Sequence, residues 1–442
     1  MSPSAVPPST TSGLTNAGVE ATLQTTAPSE SHNSKNNSTT ASPLAELDAS
    51  KLTATYTTSP RTPPAPNSPE VYAQKTCTDH MITVSWTATH GWAAPELKPY
   101  GPLSLMPTAS VLHYATECFE GQKLYRGHDG RLRLFRPDCN AARMLVSASR
   151  IALPGFAPAE LQKLVAKLCA VDGPKWLPNE AAGNFLYIRP TMIGNDEALG
   201  IQQPKQALLY IIMACFPNLD VSVPTSPAAV AAPGLKLLAS SDDMVRAWPG
   251  GFGYAKVGAN YGPSLLAQGE ARREGFDQIL WLFGEQCNVT EAGGSNFFVV
   301  WREKGSGRLQ LVTAPLTDGI ILDGVTRRSV LVLARERLPS GWKPDGDDED
   351  ALEPIEVVER KFTMFELMEA SEEGRLVEAF SAGTAFFIAP VSRIHFRGKE
   401  VSVPLATGDS GRYARVIKTW LRNIQYGKEK HEWGVVLEEE GA

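Results

Sequence analysis

The amino-acid sequence predicts an α+β protein with two folded domains behind a disordered N-terminal tail. Strand and helix patterns mix without the strict βαβ alternation of a doubly wound sheet. A proline-punctuated stretch follows Cys215, and large apolar side chains are scarce near the N-terminus. We therefore expect a tail over 1–70, a small domain over 71–214, an interdomain loop over 215–233 and a large domain over 234–442.

The tail is rich in Ser, Thr, Pro, Ala and Asn, so it buries too little apolar surface to offset the entropy of ordering. A mitochondrial presequence would be rich in arginine and poor in acidic residues. Here no arginine precedes Arg61, and Glu20 and Glu30 intrude. A dispensable tail and a cytoplasmic protein are the preferred interpretation, with a mitochondrial location as the alternative.

The elements of both domains follow from hydrophobic periodicity. Residues 131–136 alternate as a strand does, and Pro137 opens a helix over 140–151, where its missing N–H costs least. In the small domain the same criteria predict a helix over 158–171 and strands over 184–189 and 207–214. In the large domain they predict strands over 277–283, 296–301, 308–312 and 384–388, and helices over 263–274, 325–338, 364–373 and 412–425.

Composition and charge argue against several classes of protein. A net charge of −6 is unfavourable for binding nucleic acid. The longest apolar run, 207–216, is far short of the roughly 18 residues that span a bilayer. The six cysteines include no C-x-x-C pair, so we expect neither a metal site nor a disulfide framework, and we favour a reducing compartment.

The densest candidate for chemistry is a glycine-rich segment around Lys256. Gly250, Gly253 and Gly258 let the backbone turn sharply and approach a ligand closely. A lysine held away from solvent loses its charge readily, as a Schiff-base lysine must. By itself the segment is equally consistent with a surface turn that carries an incidental lysine.

Three further segments are weak signals in isolation. Glu291 lies between two predicted strands, where a carboxylate could face a cationic ring nitrogen, although most such acids are solvated. Residues 324–327 open a helix whose free N–H groups could bind phosphate. Small side chains over 381–385 would let a ligand approach the backbone. Together with Lys256, these features require an aldehyde, a basic ring nitrogen and a phosphate, and pyridoxal phosphate supplies all three.

The sequences of these segments and their order along the chain resemble the fold-type IV branched-chain amino acid aminotransferases of the class IV aminotransferase family. The resemblance extends from about Val71 to about Trp433. The matching segments are Leu112–Gly121, Arg133–Pro137, Asn140–Leu145, Leu186–Pro190, Lys256–Pro263, Thr290–Asn296, Ile321–Arg327 and Gly383–Ala385. The resemblance implies a homodimeric, pyridoxal-phosphate-dependent transaminase of branched-chain amino acid biosynthesis. It would exchange the amino group between Leu, Ile or Val and 2-oxoglutarate, giving branched 2-keto acids and glutamate.

The resemblance also implies roles for the residues that would bind the cofactor. Lys256 would hold it through the ε-amine and then carry the proton between the substrate Cα and the cofactor C4′. Glu291 would pair with the protonated ring nitrogen, and Tyr261 would hydrogen-bond the phenolic oxygen. The phosphate would be bound by Arg143, the N–H groups of Val325 and Thr326, and Thr384.

The substrate would contact a second set of residues. The N–H of Ala385 would help bind the α-carboxylate, and Arg189 would handle the distal carboxylate of glutamate. Tyr114, Phe119 and Tyr187 would form an aromatic, largely apolar pocket, with Leu199 and Ile201 contributed by the neighbouring subunit. Ordinary core packing is the alternative for Phe119 and Leu199.

Departures from the family pattern affect the substrate range and regulation. The stretch 216–233 lacks the glycine- and tyrosine-containing sequence that usually closes the pocket, and Gly294 replaces a hydroxyl residue of many relatives. Residues 386–389 replace the redox C-x-x-C of the animal enzymes.

Several alternatives stay open. One is a transaminase for a non-standard apolar amino acid in secondary metabolism. A D-amino acid transaminase or an aminodeoxychorismate lyase would lack the Phe-Glu-Gly and Arg-Pro context. A silent binding protein would have lost Lys256, Glu291 or Arg143, and all three are present.

Overall fold

The structure is a computed structural model that describes residues 43–217, 233–343, 351–385 and 387–440. The strands that precede residue 216 are β1 Thr53–Ala54, β2 His80–Thr87, β3 Gly91–Trp92, β4 Glu96–Pro99, β5 Glu117–Phe119, β6 Gln122–Arg126, β7 Leu132–Phe135, β8 Phe185–Gly194 and β9 Gln206–Cys215. Those that follow are β10 Leu235–Ala239, β11 Gln278–Phe283, β12 Asn288–Ala292, β13 Ser295–Arg302, β14 Leu309–Thr313, β15 Glu356–Glu359, β16 Leu376–Gly383, β17 Phe387–Phe396, β18 Lys399–Ser402 and β19 Gly434–Val436.

The α-helices of the described residues are α1 Pro69–Tyr72, α2 Val111–Tyr114, α3 Pro137–Arg150, α4 Pro158–Trp176, α5 Ser264–Arg273, α6 Val325–Arg337, α7 Met364–Glu372 and α8 Arg412–Gln425. The six longer ones confirm the predicted helices. Pro137 and Pro158 occupy first-turn positions, and Thr363 with Glu366 forms a capping box at the start of α7. No described helix is long and apolar enough to cross a membrane.

The first sheet has the order β1-β4-β2-β9-β8-β6-β7-β19, with β3 beside β2 and β5 beside β8. Helices α3 and α4 cover it through a shared core that includes Met144, Leu164 and Leu168. Helix α4 was expected to end at residue 171 but continues to Trp176. Gly173 lets these last turns pack closely against β7, because a Cβ there would lie 2.6 Å from Leu132 Cδ1.

The second sheet has the order β12-β11-β10-β17-β16-β13-β14-β15, and β12 also pairs with β13. That extra pairing closes six strands into a ring around an apolar interior, while α6 and α8 pack outside it. The predicted strand over 384–388 is wrong at its start. Residues 384 and 385 lie in the turn between β16 and β17, because Gly383 already pairs with Phe387 across the hairpin.

The N-terminal boundary at residue 70 is also wrong. Contacts group residues from Leu44 onward with the rest of the chain, Leu47 is 2% exposed, and β1 pairs with β4. The segment is held by polar contacts that composition does not reveal, since the N–H of Thr57 donates to His80 Nε2 at 2.9 Å. Residues 1–42 of the predicted tail and residues 218–232 of the predicted interdomain loop lie outside the described part of the chain.

Candidate active site

Lys256 is held by the first sheet and by α3 at its backbone atoms. Its N–H donates to Ser147 Oγ at 2.8 Å, and its carbonyl accepts the N–H of Phe119 at 3.1 Å. Gly258 follows where a Cβ would meet Glu117 Oε1 at 2.0 Å, so only glycine fits there. The glycine-rich segment is therefore packed against β5, which contradicts the surface-turn alternative.

The side chain of Lys256 meets two of the predicted site residues. Its Nζ donates to Tyr261 Oη at 3.1 Å and lies 4.8 Å from the centroid of the Phe119 ring. The Phe119 and Tyr261 rings are 5.2 Å apart. The amine is thus oriented by a phenol and bounded by an aromatic wall.

Arg189 also contacts the Phe119 ring. Its guanidinium carbon lies 4.7 Å from the Phe119 ring centroid, and Nη2 donates to Tyr187 Oη at 3.1 Å. Its buried Nε has no hydrogen-bond partner among the described residues. A free buried donor is costly unless a ligand uses it, so the structure brings Phe119, Tyr187 and Arg189 together as one pocket beside Lys256.

Glu291 is placed by the hairpin that joins β12 to β13. Gly293 has φ +56° in its two-residue turn, and a Cβ there would lie 2.0 Å from Gln278 Oε1. Glu291 is 1% exposed, and its Oε1 accepts the Leu322 N–H and the Asn296 amide at 3.3 Å each. Its Oε2 is in ion-pair contact with Arg246 but accepts no hydrogen bond of good geometry from the described residues, which leaves acceptor capacity for a ring N–H.

Burial raises the pKa of the Glu291 carboxyl group, and the nearby guanidinium of Arg246 opposes that rise. The two side chains form an ion pair of 2.5 Å between Arg246 Nη1 and Glu291 Oε2. Arg246 belongs to the glycine-rich segment but had no predicted role.

The predicted phosphate residues converge at the start of α6. Gly324 provides no side-chain cap there, so the first N–H groups of the helix have no side-chain acceptor. Val325 and Thr326 line an enclosed cavity together with Thr384 of the β16–β17 turn. The positive end of a helix dipole and a hydroxyl side chain therefore face one space.

Arg143 approaches this end of the site from α3. Its Nη1 donates to the Asp323 carbonyl at 2.9 Å, and it forms a two-pronged ion pair with Glu120 at 2.7 and 2.8 Å. Glu120 is fully buried; burial opposes its ionisation, but Arg143 holds the pKa of this carboxyl group below its ordinary value. The Phe-Glu-Gly motif thus contributes the residue that orients Arg143, a function that sequence reasoning missed.

Ala385 also has a partner that the sequence did not reveal. Lys123 Nζ donates to the Ala385 carbonyl at 3.0 Å, and it lies between the rings of Phe185 and Phe387 at 3.9 and 4.1 Å. A buried strand position occupied by lysine was the available signal, since lysine is rarely buried without a partner.

Tyr114, Leu199 and Ile201 are all exposed in this chain. The Tyr114 hydroxyl donates to the Leu199 carbonyl of the same chain, and Ile201 is 86% exposed. We call these three residues the exposed cluster. Tyr114 thus contacts a residue predicted to line the neighbouring subunit's pocket, and its own place beside Phe119 and Tyr187 stays a prediction.

The assembled groups fit pyridoxal phosphate. They supply an amine, a phenol, a buried carboxylate with a free acceptor, and an uncapped helix start near an arginine. Among the described residues no group of His, Cys, Asp or Glu could hold a metal ion.

A sheet-and-ring fold with these groups defines a pyridoxal-phosphate aminotransferase. The profile of the family described as amino-transferase class IV matches residues 117–394, and the chain belongs to that family. This confirms the family, the fold class and the prediction of an enzyme.

Curated relatives are similar over most of their length. The cytosolic branched-chain-amino-acid aminotransferase of Saccharomyces cerevisiae is 45% identical over 397 residues, 89% of this chain and 98% of that protein. The mitochondrial enzyme of the same yeast is 44% identical over 386 residues, 87% and 91% of the two chains.

Solved structures of branched-chain aminotransferases have the same fold. The enzyme from Escherichia coli superposes with a TM-score of 0.56 at 25% identity, over 80% of this chain and 98% of that one. A second such enzyme, crystallised with pyridoxamine 5′-phosphate, has a TM-score of 0.57 at 24% identity, over 80% and 97% of the two chains. The match to the class IV aminotransferase family confirms the pyridoxal phosphate prediction.

Proposed function

We propose that the protein transfers the amino group between the branched-chain L-amino acids Leu, Ile and Val and 2-oxoglutarate, giving branched 2-keto acids and glutamate. The observation that carries this is the set of groups around Phe119. Lys256 Nζ and the Arg189 guanidinium lie 4.8 and 4.7 Å from the centroid of its ring, and the Tyr261 ring lies 5.2 Å from it. A reactive amine therefore borders a pocket with an apolar wall and one cationic group.

Pyridoxal phosphate supplies an aldehyde for amine exchange and a ring that accepts electrons from the substrate Cα. Lys256 would hold it through Nζ, and Tyr261 would bind its phenolic oxygen. Arg143, the N–H groups of Val325 and Thr326, and the Thr384 hydroxyl would bind the phosphate.

Lys256 also serves as the base. When the substrate amine is bound to the cofactor in its place, Nζ would take the proton from the substrate Cα and return it to the cofactor C4′. Tyr261 orients Nζ, because the amine donates a hydrogen bond of 3.1 Å to the Tyr261 hydroxyl. Ser147 fixes the Lys256 backbone, so the amine works from a rigid position.

Glu291 stabilises positive charge on the ring nitrogen through Oε2, which accepts no hydrogen bond from the described residues. Asn296 and the Leu322 N–H hold the other oxygen and so fix the plane of the carboxylate. The same Asn296 amide donates to the Leu322 carbonyl at 2.8 Å, which ties the ring-nitrogen end of the site to the loop before α6.

Two kinds of substrate side chain must enter the pocket in turn. Phe119 and Tyr187 offer apolar surface to a branched aliphatic chain. Arg189 offers Nε and its remaining N–H groups to the distal carboxylate of glutamate. The N–H of Ala385 would bind the α-carboxylate that both substrates share, while Lys123 restrains the Ala385 carbonyl.

The protein would act as a homodimer. Leu199 and Ile201 are 60% and 86% exposed, an unfavourable state for large apolar side chains in a monomer. We propose that the exposed cluster enters the neighbouring subunit's pocket and completes its apolar lining. The cytoplasm remains the proposed compartment. The proposed division is a small domain that ends at residue 214 and a large domain over 234–442, joined by the loop 215–233.

A panel of 2-keto acids with L-glutamate as donor tests the function. The keto acids of Leu, Ile and Val should be converted with similar efficiency, because each methylene contributes only about 0.8 kcal/mol. Preference for a non-standard apolar keto acid would favour the secondary-metabolism alternative. Conversion of D-amino acids, or release of pyruvate without a keto-acid acceptor, would refute the proposal.

A further inference from the structure

Arg246 is the charged residue closest to Glu291 that the reaction described above does not use. Its Nη1 lies 2.5 Å from Glu291 Oε2, and the two side chains are 6% and 2% exposed. Buried charges interact strongly because water does not screen them, and each is costly without its partner. Arg246 and Glu291 therefore depend on each other to remain charged in the buried site.

The position of Arg246 is fixed by its neighbours. Ala247 packs in a small apolar cluster with Ile320 and Ile321. A Cβ at Gly253 would lie 2.0 Å from the Ile320 carbonyl, and the Tyr254 N–H donates to the Gly319 carbonyl at 3.1 Å. The segment that carries Arg246 is thus packed against the loop before α6, and the Leu322 N–H of that loop donates to Glu291.

The hydrogen bonds of Glu291 are long and fall on one of its two oxygens. Its two hydrogen bonds are both 3.3 Å long and both fall on Oε1. Burial raises the pKa of this carboxyl group, and Arg246 is the strongest of the groups that oppose the rise. Without Arg246, a proton shared with a ring nitrogen would be drawn to the carboxylate.

We propose that Arg246 is a positioning residue that keeps the shared proton on the cofactor ring nitrogen by holding Glu291 as a carboxylate. The inference rests on the proposed function of Glu291. Arg246 touches one side of the carboxylate, so a proton on Glu291 lies nearer to this cation than a proton on the ring nitrogen does. Coulomb repulsion therefore favours the ring as the site of protonation.

The direct readout is the ¹⁵N chemical shift of pyridoxal phosphate labelled at the ring nitrogen and bound to the protein. Wild type and Arg246→Lys, which keeps the charge, should both show a protonated nitrogen. Arg246→Met should shift toward the neutral form and bind the cofactor more weakly, by about tenfold or more. Arg272→Met is the matched control, because Arg272 lines the same surface cavity as Arg246 without an ion pair to Glu291.

An unchanged ¹⁵N shift in Arg246→Met would overturn the proposal. A neutral ring nitrogen in Arg246→Lys would also overturn it. That result would mean that the geometry of the arginine side chain, and not its positive charge, determines protonation of the ring nitrogen.

A double variant keeps the proposal testable if Arg246→Met fails to fold. Arg246→Met with Glu291→Gln removes both buried charges and should restore folding, measured by the thermal midpoint of the apoprotein. Failure to restore it would count against the charge pairing.

Wild-type behaviour separates this inference from the proposed function. If wild type binds no cofactor or transfers no amino group, the function is wrong. If wild type does both and the ¹⁵N shift is the same in wild type and Arg246→Met, only the proposed role of Arg246 is wrong.

Discussion

At the scale of single residues, Lys256 is held from three directions, by Ser147, Phe119 and Tyr261. These contacts place an amine where a cofactor aldehyde must lie. We expect Lys256→Ala to fold, because the backbone contacts persist, and to lose transamination by about 10²- to 10⁴-fold or more. Borohydride should attach the cofactor to the peptide of Lys256 in wild type and to no peptide in the variant.

Lys123→Met is a useful comparison for that experiment. Lys123 is a buried lysine near the site, and it donates to the Ala385 carbonyl. Borohydride labelling should still occur at Lys256 in this variant. Two results would refute the assignment of Lys256. One is loss of the borohydride-attached cofactor in Lys123→Met, and the other is an ordinary rate of transamination in Lys256→Ala.

Arg189 gives a prediction about dual specificity. Its guanidinium is stacked on Phe119 and hydrogen-bonded to Tyr187, so Arg189→Met keeps apolar bulk and removes the charge. The half-reaction with glutamate should slow by about 10- to 100-fold, and the one with leucine should change little. Each is followed by the change in cofactor absorbance with one substrate alone. Equal losses with both substrates would make Arg189 a structural residue.

The roles of the reacting residues came from motifs taken together. A lysine among glycines and a glutamate between strands are weak signals alone, and the resemblance to the family implied their roles. Glu120, Asn296 and Arg246 lay inside the same motifs, but their roles depend on contacts across the fold, such as the Asn140 amide that donates to Glu120 at 2.8 Å. Such pairings are set by tertiary packing and leave no periodic pattern.

At the scale of elements, the helices were predicted well and the chain ends poorly. Helix α8 has its predicted bounds because apolar residues recur on one face, and Ile417, Trp420 and Leu421 are buried there. β19 has three residues and joins β7 in the first sheet from the far end of the chain. A strand that short carries too few positions for a pattern of period two.

The N-terminal segment supplies a prediction by truncation. A chain that starts at Leu44 keeps every described contact of the segment and should melt like the full chain. A chain that starts at Val71 loses buried Leu47 and the bond from Thr57 to His80. Loss of Leu47 alone should cost roughly 2–5 kcal/mol. Equal melting temperatures of the two truncated proteins would show that this packing contributes nothing.

Glu378 gives a prediction about pH. It is buried at the start of α8, where its carboxylate accepts the N–H groups of Tyr413 and Ala414 at 3.0 and 2.7 Å. Burial nevertheless raises its pKa to about 7. The folded protein therefore binds the proton more tightly than the unfolded chain does, so this contribution to stability is complete below the unfolded value near 4.5 and is lost as pH rises toward 7.

Glu378→Gln mimics the protonated group and should remove this dependence. The thermal midpoint of wild type minus that of the variant should fall steadily between about pH 5 and pH 8. Taking the difference cancels the titration of every other group that the two proteins share. A constant difference across this range would mean that Glu378 does not titrate there.

At the scale of the whole molecule, the exposed cluster decides whether one chain is sufficient for activity. Ile201 is 86% exposed, so its side chain is accessible to a neighbouring subunit. If the Ile201 side chain lines the neighbouring subunit's pocket, the variant Ile201→Asp should dimerise more weakly and react more slowly with leucine. It should do so although every subunit of the variant keeps Lys256. Val435→Asp is the control, since Val435 is an exposed apolar residue on β19, away from the cluster.

Mixing two defective variants distinguishes action between subunits from action within one chain. Ile201→Asp has a working Lys256, and Lys256→Ala has a working Ile201. In a mixed dimer, the site that keeps Lys256 receives a normal Ile201 from its neighbour, so activity should rise well above that of either variant alone. Light scattering after co-refolding would verify that mixed dimers have formed. If Ile201 served the pocket of its own chain, each site in the mixed dimer would still carry one defect. Activity that stayed at the level of the separate variants would therefore disprove the shared pocket.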